Sequence, residues 1–547
     1  MNIDDVYSHI GQFGPQQKKY MAISYVTLGF YAAVATFNQQ FACWEPSFQC
    51  EHVNGSVLVD QCWDGCADHC TAIVFNTSYS TVVTEWELVC DRAWQPRSAQ
   101  SAFMLGLVVS ALMSGPLSDR FGRLRLVCVM SAASLLTVGT QALAGSVEVY
   151  IVARLVNGAL HMGVVLAGFV LQQELVGPEY RAITGNLSGC FFSVGLMVLA
   201  GLARVCSSWR VLYGATVALG CSVPLLWLYL PESPRWLLVR GHREQAVRVL
   251  RTIASGNGRP LTRDLSDLRS PRSADTEDIC TLLRTRRGAL WVGIQMVAWF
   301  TVNLGFYSLT AATGTVGGDR FVNFAIAGFV DLPAHLLVYF ILDRFGRRRC
   351  LCGLFLGGAL GCLGVLVLPA AADRSQLSAR TACLWLGKLM MSAVFTTVYV
   401  HTLEIFPTSV RNRGISTINA WARLSGLFYP FMVTLDSVIP GLQYAVLGGL
   451  MLLSGALAPL LPETAGRPLF ATVAQLVGAE AGPSPLHGLL RDDSDRIESV
   501  PLTAGLEDGP GARWDGREVW KELQETEDWE EGSTDGVPTA DGRTCDT

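Results

Sequence analysis

Gly115-Pro-Leu-Ser-Asp119-Arg120-Phe-Gly122-Arg123-Leu-Arg125 decides the architecture, because a near-copy, Asp343-Arg344-Phe-Gly346-Arg347-Arg348-Arg349, stands 224 residues further on. Each copy fills a short gap between two apolar runs long enough to cross a bilayer. A dense ionic cluster cannot lie in hydrocarbon, so each copy is expected to be a tight loop at a membrane face. Two further pairs repeat at nearly the same offset. Glu174 and Arg181 return as Glu404 and Arg411, 230 residues on, and Pro231-Glu232 returns as Pro462-Glu463, 231 residues on. Three ordered repeats at nearly equal offsets divide the chain into two related membrane halves.

Composition agrees. Half of the 547 residues are apolar, 16% are charged and the mean hydropathy is +0.34, as in an integral membrane protein. The net charge of −5 is unevenly placed, with acids collected near the C-terminal end and basic residues crowding a few loops. The arginines flank apolar helices and form no aromatic-interleaved patch, which argues against nucleic acid as a partner. No nucleotide-binding loop, nucleophile–base pair or metal constellation stands out, so no enzyme chemistry and no cofactor are expected.

Apolar stretches of roughly 18–24 residues can span about 30 Å of hydrocarbon as helices. Twelve are present, at 20–41, 98–117, 124–143, 147–171, 183–203, 210–230, 289–310, 320–342, 350–369, 380–402, 413–434 and 441–461. The fold class is therefore an all-α membrane protein of twelve transmembrane helices in two six-helix repeats. The divisions are a polar N-terminus (1–19), a first bundle (20–230), a linker (231–288), a second bundle (289–461) and an acidic tail (462–547). The first apolar run is read as a spanning helix that directs insertion and not as a cleaved leader, since it ends in Asn38-Gln39-Gln40.

Loop charge sets the orientation. Segment 42–97 has two basic residues, Arg92 and Arg97, whereas 231–288 has twelve against seven acids. Positive loops stay inside, so the linker, both repeat loops and both termini are expected to face the cytoplasm. The outer segment holds Cys43, Cys50, Cys62, Cys66, Cys70 and Cys90, an even set consistent with up to three disulfides. A metal site on Cys62, Cys66, His69 and Cys70 is the weaker alternative in an oxidising compartment. The same segment carries two glycosylation sequons, at Asn54 and Asn76.

In the linker, Ala246, Val247, Leu250, Ile253 and Ala254 share one helical face, which predicts an amphipathic helix over 244–254 lying under the bundle. Gly256-Asn-Gly-Arg-Pro260 should end it. Beyond about 475 the tail is polar, rich in Gly, Ser and Pro, and expected to be mostly disordered, with a partner-binding helix near 515–531 as the one exception considered.

The repeated charges suggest a conformational latch. Gly115 should allow close helix approach, and Gly122 and Gly346 the tight turns. Asp119 should face a helix N-terminus or an arginine, and Arg120, Arg123 or Arg125 should meet an acid such as Glu174. Glu232, Arg181, Asp343, Arg344, Arg347, Glu404, Arg411 and Glu463 complete the set. Ion pairs at a moving interface bias a two-state equilibrium; the plainer alternative is that the charges only anchor topology.

The Gly-x3-Asp-Arg-x-Gly-Arg loop, twelve spans and long inner linker resemble the major facilitator superfamily. More narrowly, Thr84-Glu85-Trp86-Glu87-Leu88-Val89-Cys90-Asp91-Arg92, Pro231-Glu-Ser-Pro-Arg-Trp236, Glu404-Ile-Phe-Pro407-Thr408-Ser-Val-Arg411-Asn412 and Leu461-Pro-Glu-Thr464 resemble the organic cation, anion and zwitterion transporter family. The resemblance runs from residue 4 to about 470 and implies the major facilitator fold with a cysteine-rich extracellular loop. Tyr339 stands where the second motif would begin with Gly. Ile279-Cys-Thr-Leu-Leu-Arg-Thr285, Gly305-Phe-Tyr307-Ser-Leu and Val398-Tyr399-Val-His401-Thr-Leu-Glu404 are similar to the carnitine-type branch, which often has Tyr where this chain has His401.

The resemblance also implies a substrate site. Arg423 stands where cation-selective members often carry an acid, and Asp331 where the family usually has Glu. A cation in the eleventh span is costly in lipid, so Arg423 should face the cavity and favour a carboxylate, with Lys388 a second positive candidate. Asp331 is expected to face a quaternary ammonium or to balance a basic residue. Tyr307, Tyr399 and Trp421 are candidate cation–π faces and His401 a candidate lining residue. Arg154, His161 and His335 are read as structural hydrogen bonders. The expectation is a plasma-membrane carrier working by alternating access on a small organic ion, best a zwitterion such as carnitine, driven by the solute gradient or by sodium or proton coupling. An organic anion carrier, and a transport-inactive receptor whose acidic tail binds a cytoplasmic partner, are the competing readings.

Overall fold

Eleven helices long and apolar enough to cross a membrane, with a twelfth, Arg411–Ser425, between the last two, frame the described part of the chain in the computed structural model, six before the linker and six after it. That part comprises residues 3–51, 72–77, 79–259, 279–313, 319–368, 374–407, 410–432, 439–465, 473 and 476, without side chains at 49–51, 72, 279, 374–378 and 411–413. One compact unit runs from Met1 to Glu480; the second, Ala481–Thr547, lies outside the described residues, and with it the tail and its candidate helix.

The first half is α1 (Pro15–Ala42), α2 (Cys90–Phe121), α3 (Arg123–Ala142), α4 (Val147–Glu174), α5 (Pro178–Val205) and α6 (Trp209–Leu228). The second is α7 (Arg286–Ala312), α8 (Arg320–Phe345), α9 (Arg347–Val367), α10 (Ala379–Ile405), α11 (Arg411–Ser425) and α12 (Leu442–Leu460). All but α11 are long and apolar enough to cross a membrane; α11 leads into residues 433–438, outside those described. Most helices outrun their apolar windows, because a helix continues past the hydrocarbon wherever polar ends can be solvated. Two short antiparallel strands, β1 (Phe48–Glu51) and β2 (Ala72–Phe75), pair within the segment 42–97.

Helices meet closely where glycine faces backbone. A Cβ on Gly106 of α2 would lie 2.3 Å from the Leu155 carbonyl oxygen of α4, and one on Gly158 would lie 2.2 Å from the Phe103 oxygen. Small residues at such crossings are what allows spans to pack without a hydrophobic driving force between them. Gly115 does not serve this purpose: a Cβ there would meet nothing within 4 Å. The expected close approach at the first motif is therefore corrected, and Tyr339, exposed at the matching position, costs the second half no packing.

The amphipathic linker helix is present as Arg243–Gly256, burying Ala246, Leu250, Ile253 and Ala254. It packs in one cluster with Ile3, Val6, Tyr7 and Ile10 of a helix, Ile3–Ile10, that the polar reading of residues 1–19 missed. Asn257 locks the two together: its amide donates to the Ile10 oxygen at 2.9 Å, and its oxygen accepts from the Gln16 N–H at 3.1 Å.

In the outer segment Cys43 is a free thiol beside the Tyr150 hydroxyl at 3.5 Å, which corrects its expected disulfide: packing at the end of α1 turns it into the bundle. Cys90 is disulfide-bonded. The Cys50 side chain, Cys62, Cys66, Cys70 and Asn54 lie outside the described residues, and so does the alternative metal site; Asn76 is exposed.

The two halves touch at the end that carries this segment. Phe37 of α1 stacks on Tyr307 of α7 with centroids 5.5 Å apart, and Tyr307 stacks in turn on Tyr429 at 5.5 Å. Phe41 stacks on Phe321 at 5.3 Å, Gln40 donates to the Tyr429 hydroxyl at 3.2 Å, and Arg204 pairs with Asp319 at 2.8 Å. At the motif end, the ion pairs seen among the described residues all lie within one half.

Candidate functional site

Two copies of one network sit at the motif ends. Gly122 (φ +101°) and Gly346 (φ +84°) turn the chain out of α2 and α8, a conformation that L side chains rarely adopt. The freed N–H groups at the start of α3 and α9 then meet a carboxylate. Glu232 accepts from the N–H of Arg123 at 2.9 Å and of Leu124 at 3.0 Å; Glu463 accepts from Arg347 at 2.8 Å and Arg348 at 3.2 Å. Negative charge at a helix N-terminus is favourable, and here it also pins the chain that follows each bundle. Burial pushes the Glu463 carboxyl up, but the N–H groups of Ala465, Arg347, Arg348 and Thr464 outweigh it and hold it below the usual range.

The arginine of each turn then reaches sideways. Arg123 Nε lies 3.0 Å from Glu174 and its Nη2 lies 2.9 Å from Asp119; Arg347 Nε lies 3.0 Å from Glu404 and its Nη1 lies 3.0 Å from Asp343. Asp119 takes the second of its two expected roles, facing Arg123, while Glu232 is the anion at the helix N-terminus; the Asp119 backbone oxygen accepts from Trp236 Nε1 at 2.7 Å. Arg120 and Arg344 lie over the rings of Phe121 and Phe345, and neither pairs with an acid among the described residues. Arg123 meets Glu174 as expected, while Arg181 meets Asp4 at 2.8 Å, and Arg235 binds the same carboxylate. Burial alone would raise the Asp4 carboxyl, but the hydrogen bonds and charges of Arg235 and Arg181 hold it below its ordinary value. The side chain of Arg411 lies outside those described.

The bundle interior holds the substrate candidates. Lys388 of α10 and Asp331 of α8 form a wholly buried pair, Nζ to Oδ1 2.9 Å, with Ser392 hydrogen-bonded to the same carboxylate and the Phe306 ring 3.7 Å from the ammonium. Asp331 thus takes the second of its two expected roles, balancing a basic residue, and Lys388 is neutralised by it. Arg423 of α11 donates to the Tyr307 hydroxyl at 3.2 Å, and its Nε is buried without a partner. Among the described residues no carboxylate lies within 4.0 Å of this guanidinium.

The remaining candidates disperse. His401 is buried between Gln295 Nε2 at 2.7 Å and the Pro462 oxygen at 3.0 Å, a packing site rather than a cavity wall. Trp421 is two residues from Arg423, about 200° around the helix. It packs on Phe300 and donates to the Met296 oxygen at 3.1 Å, so it does not share a face with Arg423. Tyr399 meets Phe169 and Trp299 edge-on at 6.0 and 6.1 Å. His161 and His335 bond Thr36 and Thr396 at 3.1 and 3.2 Å. Sequence reasoning missed Phe37, Tyr429, Ser392 and Asp4. Of these only Ser392 carried a local signal, four residues after Lys388 and so on its face.

The comparisons with known proteins point one way. A family model described as "Sugar (and other) transporter" matches residues 55–474. The human organic cation/carnitine transporter 2 is 33% identical over 78% of this chain and 77% of its own length. A solute carrier family 22 member 15-like protein of Xenopus tropicalis is 32% identical over 91% of this chain and 100% of its own. Human solute carrier family 22 member 13 is 34% identical over 73% and 72%. Among solved structures, the xylose transporter XylE from E. coli in a partially occluded inward-open conformation superposes with a TM-score of 0.60 over 84% of this chain and 100% of that one. At 18% identity the likeness is one of fold.

Proposed function

Because the chain belongs to the sugar (and other) transporter family, and within it to the solute carrier family 22 carriers of organic ions, we propose that it moves small organic ions bearing a carboxylate across the plasma membrane by alternating access. It is a multi-pass membrane transporter and not an enzyme. Substrate binds between the halves, the cysteine-rich segment faces outside with Asn54 and Asn76 as glycan acceptors, and both termini are cytoplasmic. The solute gradient or a coupled sodium ion or proton supplies the drive.

One observation carries the carboxylate. Arg423 has a hydroxyl partner and a spare N–H but no acid among the described residues, while the other interior cation, Lys388, is matched by Asp331. A carboxylate entering beside Arg423 would gain a charge-assisted contact that no protein group supplies. The finer choice lies between an organic anion and a zwitterion. The anion is favoured, since Asp331 is engaged and both faces of Tyr307 are covered, by Phe37 and Tyr429. The zwitterion reading rests on the carnitine-type residues around Tyr307 and Tyr399 and on the carnitine carrier among the relatives.

Uptake of labelled carnitine, a monocarboxylate aromatic anion and a simple quaternary amine, with and without sodium, separates these readings. Arg423→Ala should lower carboxylate uptake by roughly 10–100-fold and leave the amine unaffected. Equal losses for all three would make Arg423 a packing residue. No accumulation of any of them, with the protein at the cell surface, would favour the receptor reading.

A further inference from the structure

Arg154 and Lys388 are the two wholly buried arginine or lysine side chains among the described residues. Lys388 has its carboxylate; Arg154 has none within 4.0 Å among the described residues. It sits about 10 Å along α4 from the outer end, stacked 4.2 Å from the Phe103 ring. Its Nη1 donates to the Asn38 side-chain oxygen at 3.2 Å and its Nη2 to the Gln100 oxygen at 2.9 Å. Both partners are neutral amides. Two buried N–H groups of this cluster, Arg154 Nε and Asn38 Nδ2, have no partner.

An ionised group out of water is strongly disfavoured unless an opposite charge accompanies it, and a guanidinium cannot discard its proton to escape. Neutral amide oxygens supply dipoles but leave one full positive charge in place. The unused groups are donors, the polarity that an anion requires.

We propose that Arg154 and Asn38 form a binding site for a small monovalent anion, chloride in size and charge, separate from the substrate residues of the second half. A single uncompensated charge and two free donors suit a spherical monovalent ion. A tetrahedral oxyanion would bring more charge than the site balances and more acceptors than it can serve. Asn38 stands two residues before Gln40, whose amide donates to the Tyr429 hydroxyl across the halves at 3.2 Å, and the anion exchanges when that contact parts.

The test uses the purified full chain, with thermal unfolding measured in chloride and in gluconate at equal ionic strength. Chloride should raise the midpoint by about 2–4 °C. Arg154→Gln should abolish the response. Asn38→Asp, which sets a fixed carboxylate against Nη1, should make the protein as stable in gluconate as the wild type is in chloride, with no further gain from chloride. Because Asn38→Asp adds a charge partner rather than removing one, it reports even if Arg154→Gln does not fold. An unchanged wild-type midpoint, or a full chloride response in Asn38→Asp, overturns the proposal. Loss of the response in Arg423→Ala overturns it too, since the anion would then sit with the substrate residues.

Discussion

Glu232 places a carboxylate oxygen 2.9 Å from the backbone nitrogen of Arg123, although 109 residues separate them, and so ties the end of the first bundle to the turn between its second and third helices. Glu463 repeats the contact with Arg347 in the second half. Since each carboxylate serves several N–H groups at a helix start, Glu232→Ala and Glu463→Ala should each cost about 1–2 kcal/mol of stability. Thermal unfolding of the purified variants checks this, and transport should fall with it. Gln substitutions, which keep one acceptor oxygen, should recover part of the loss.

The glycines of the motif should separate by role. Gly122→Ala and Gly346→Ala force a side chain into a left-handed conformation, and the new Cβ would lie 2.6 Å from Glu232 or Glu463. About 1–3 kcal/mol of strain is expected at each. Gly115→Ala meets nothing within 4 Å and should leave surface abundance and uptake unaltered. A severe defect in Gly115→Ala would contradict the packing described here.

Breaking the interior pair from one side should be worse than removing it. Asp331→Ala or Lys388→Ala strands a buried charge and should cost about 3–5 kcal/mol. The double variant Asp331→Leu/Lys388→Met leaves none stranded and should unfold closer to the wild type than either single variant. Four-way comparison of unfolding midpoints decides it.

Acid should loosen the N-terminal helix in a defined window. The Asp4 carboxyl is held below its ordinary value of 3.8 by Arg235 and Arg181. A depressed folded value means the contribution is complete above 3.8 and fades as pH falls through the lower folded value. The gap in unfolding midpoint between wild type and Asp4→Asn should therefore stay constant from neutral pH down to about 4 and shrink below it. A gap that closed between pH 7 and 5 would assign the effect to another group.

The duplication was legible because motif offset survives in sequence, and the linker helix because its apolar spacing is intact. Helix ends were less so. Arg286, Arg320 and Arg347 all open helices, and a hydropathy window stops where the charges begin. Ile3, Val6, Tyr7 and Ile10 already show a helical stripe, hidden by the polar residues between them. The partner of Arg181 was not legible at all: Asp4 is 177 residues away. That Trp421 and Arg423 face apart was legible, since two residues turn a helix by about 200°; which of the two faces the neighbouring helices was not. Arg423 and Lys388 are both positive candidates in the sequence, and only three-dimensional packing distinguishes the matched one from the unmatched.

The bridge from Asp4 to Arg181 and Arg235 makes the halves unequal guests of a divided gene. Glu463 braces the second bundle as Glu232 braces the first, but among the described residues the first bundle also leans on Asp4, ahead of its initial membrane crossing. Co-expressed pieces cut within 260–278 should reassemble only when the leading piece retains Ile3–Ile10, and trimming to Pro15 should leave it unable to complement.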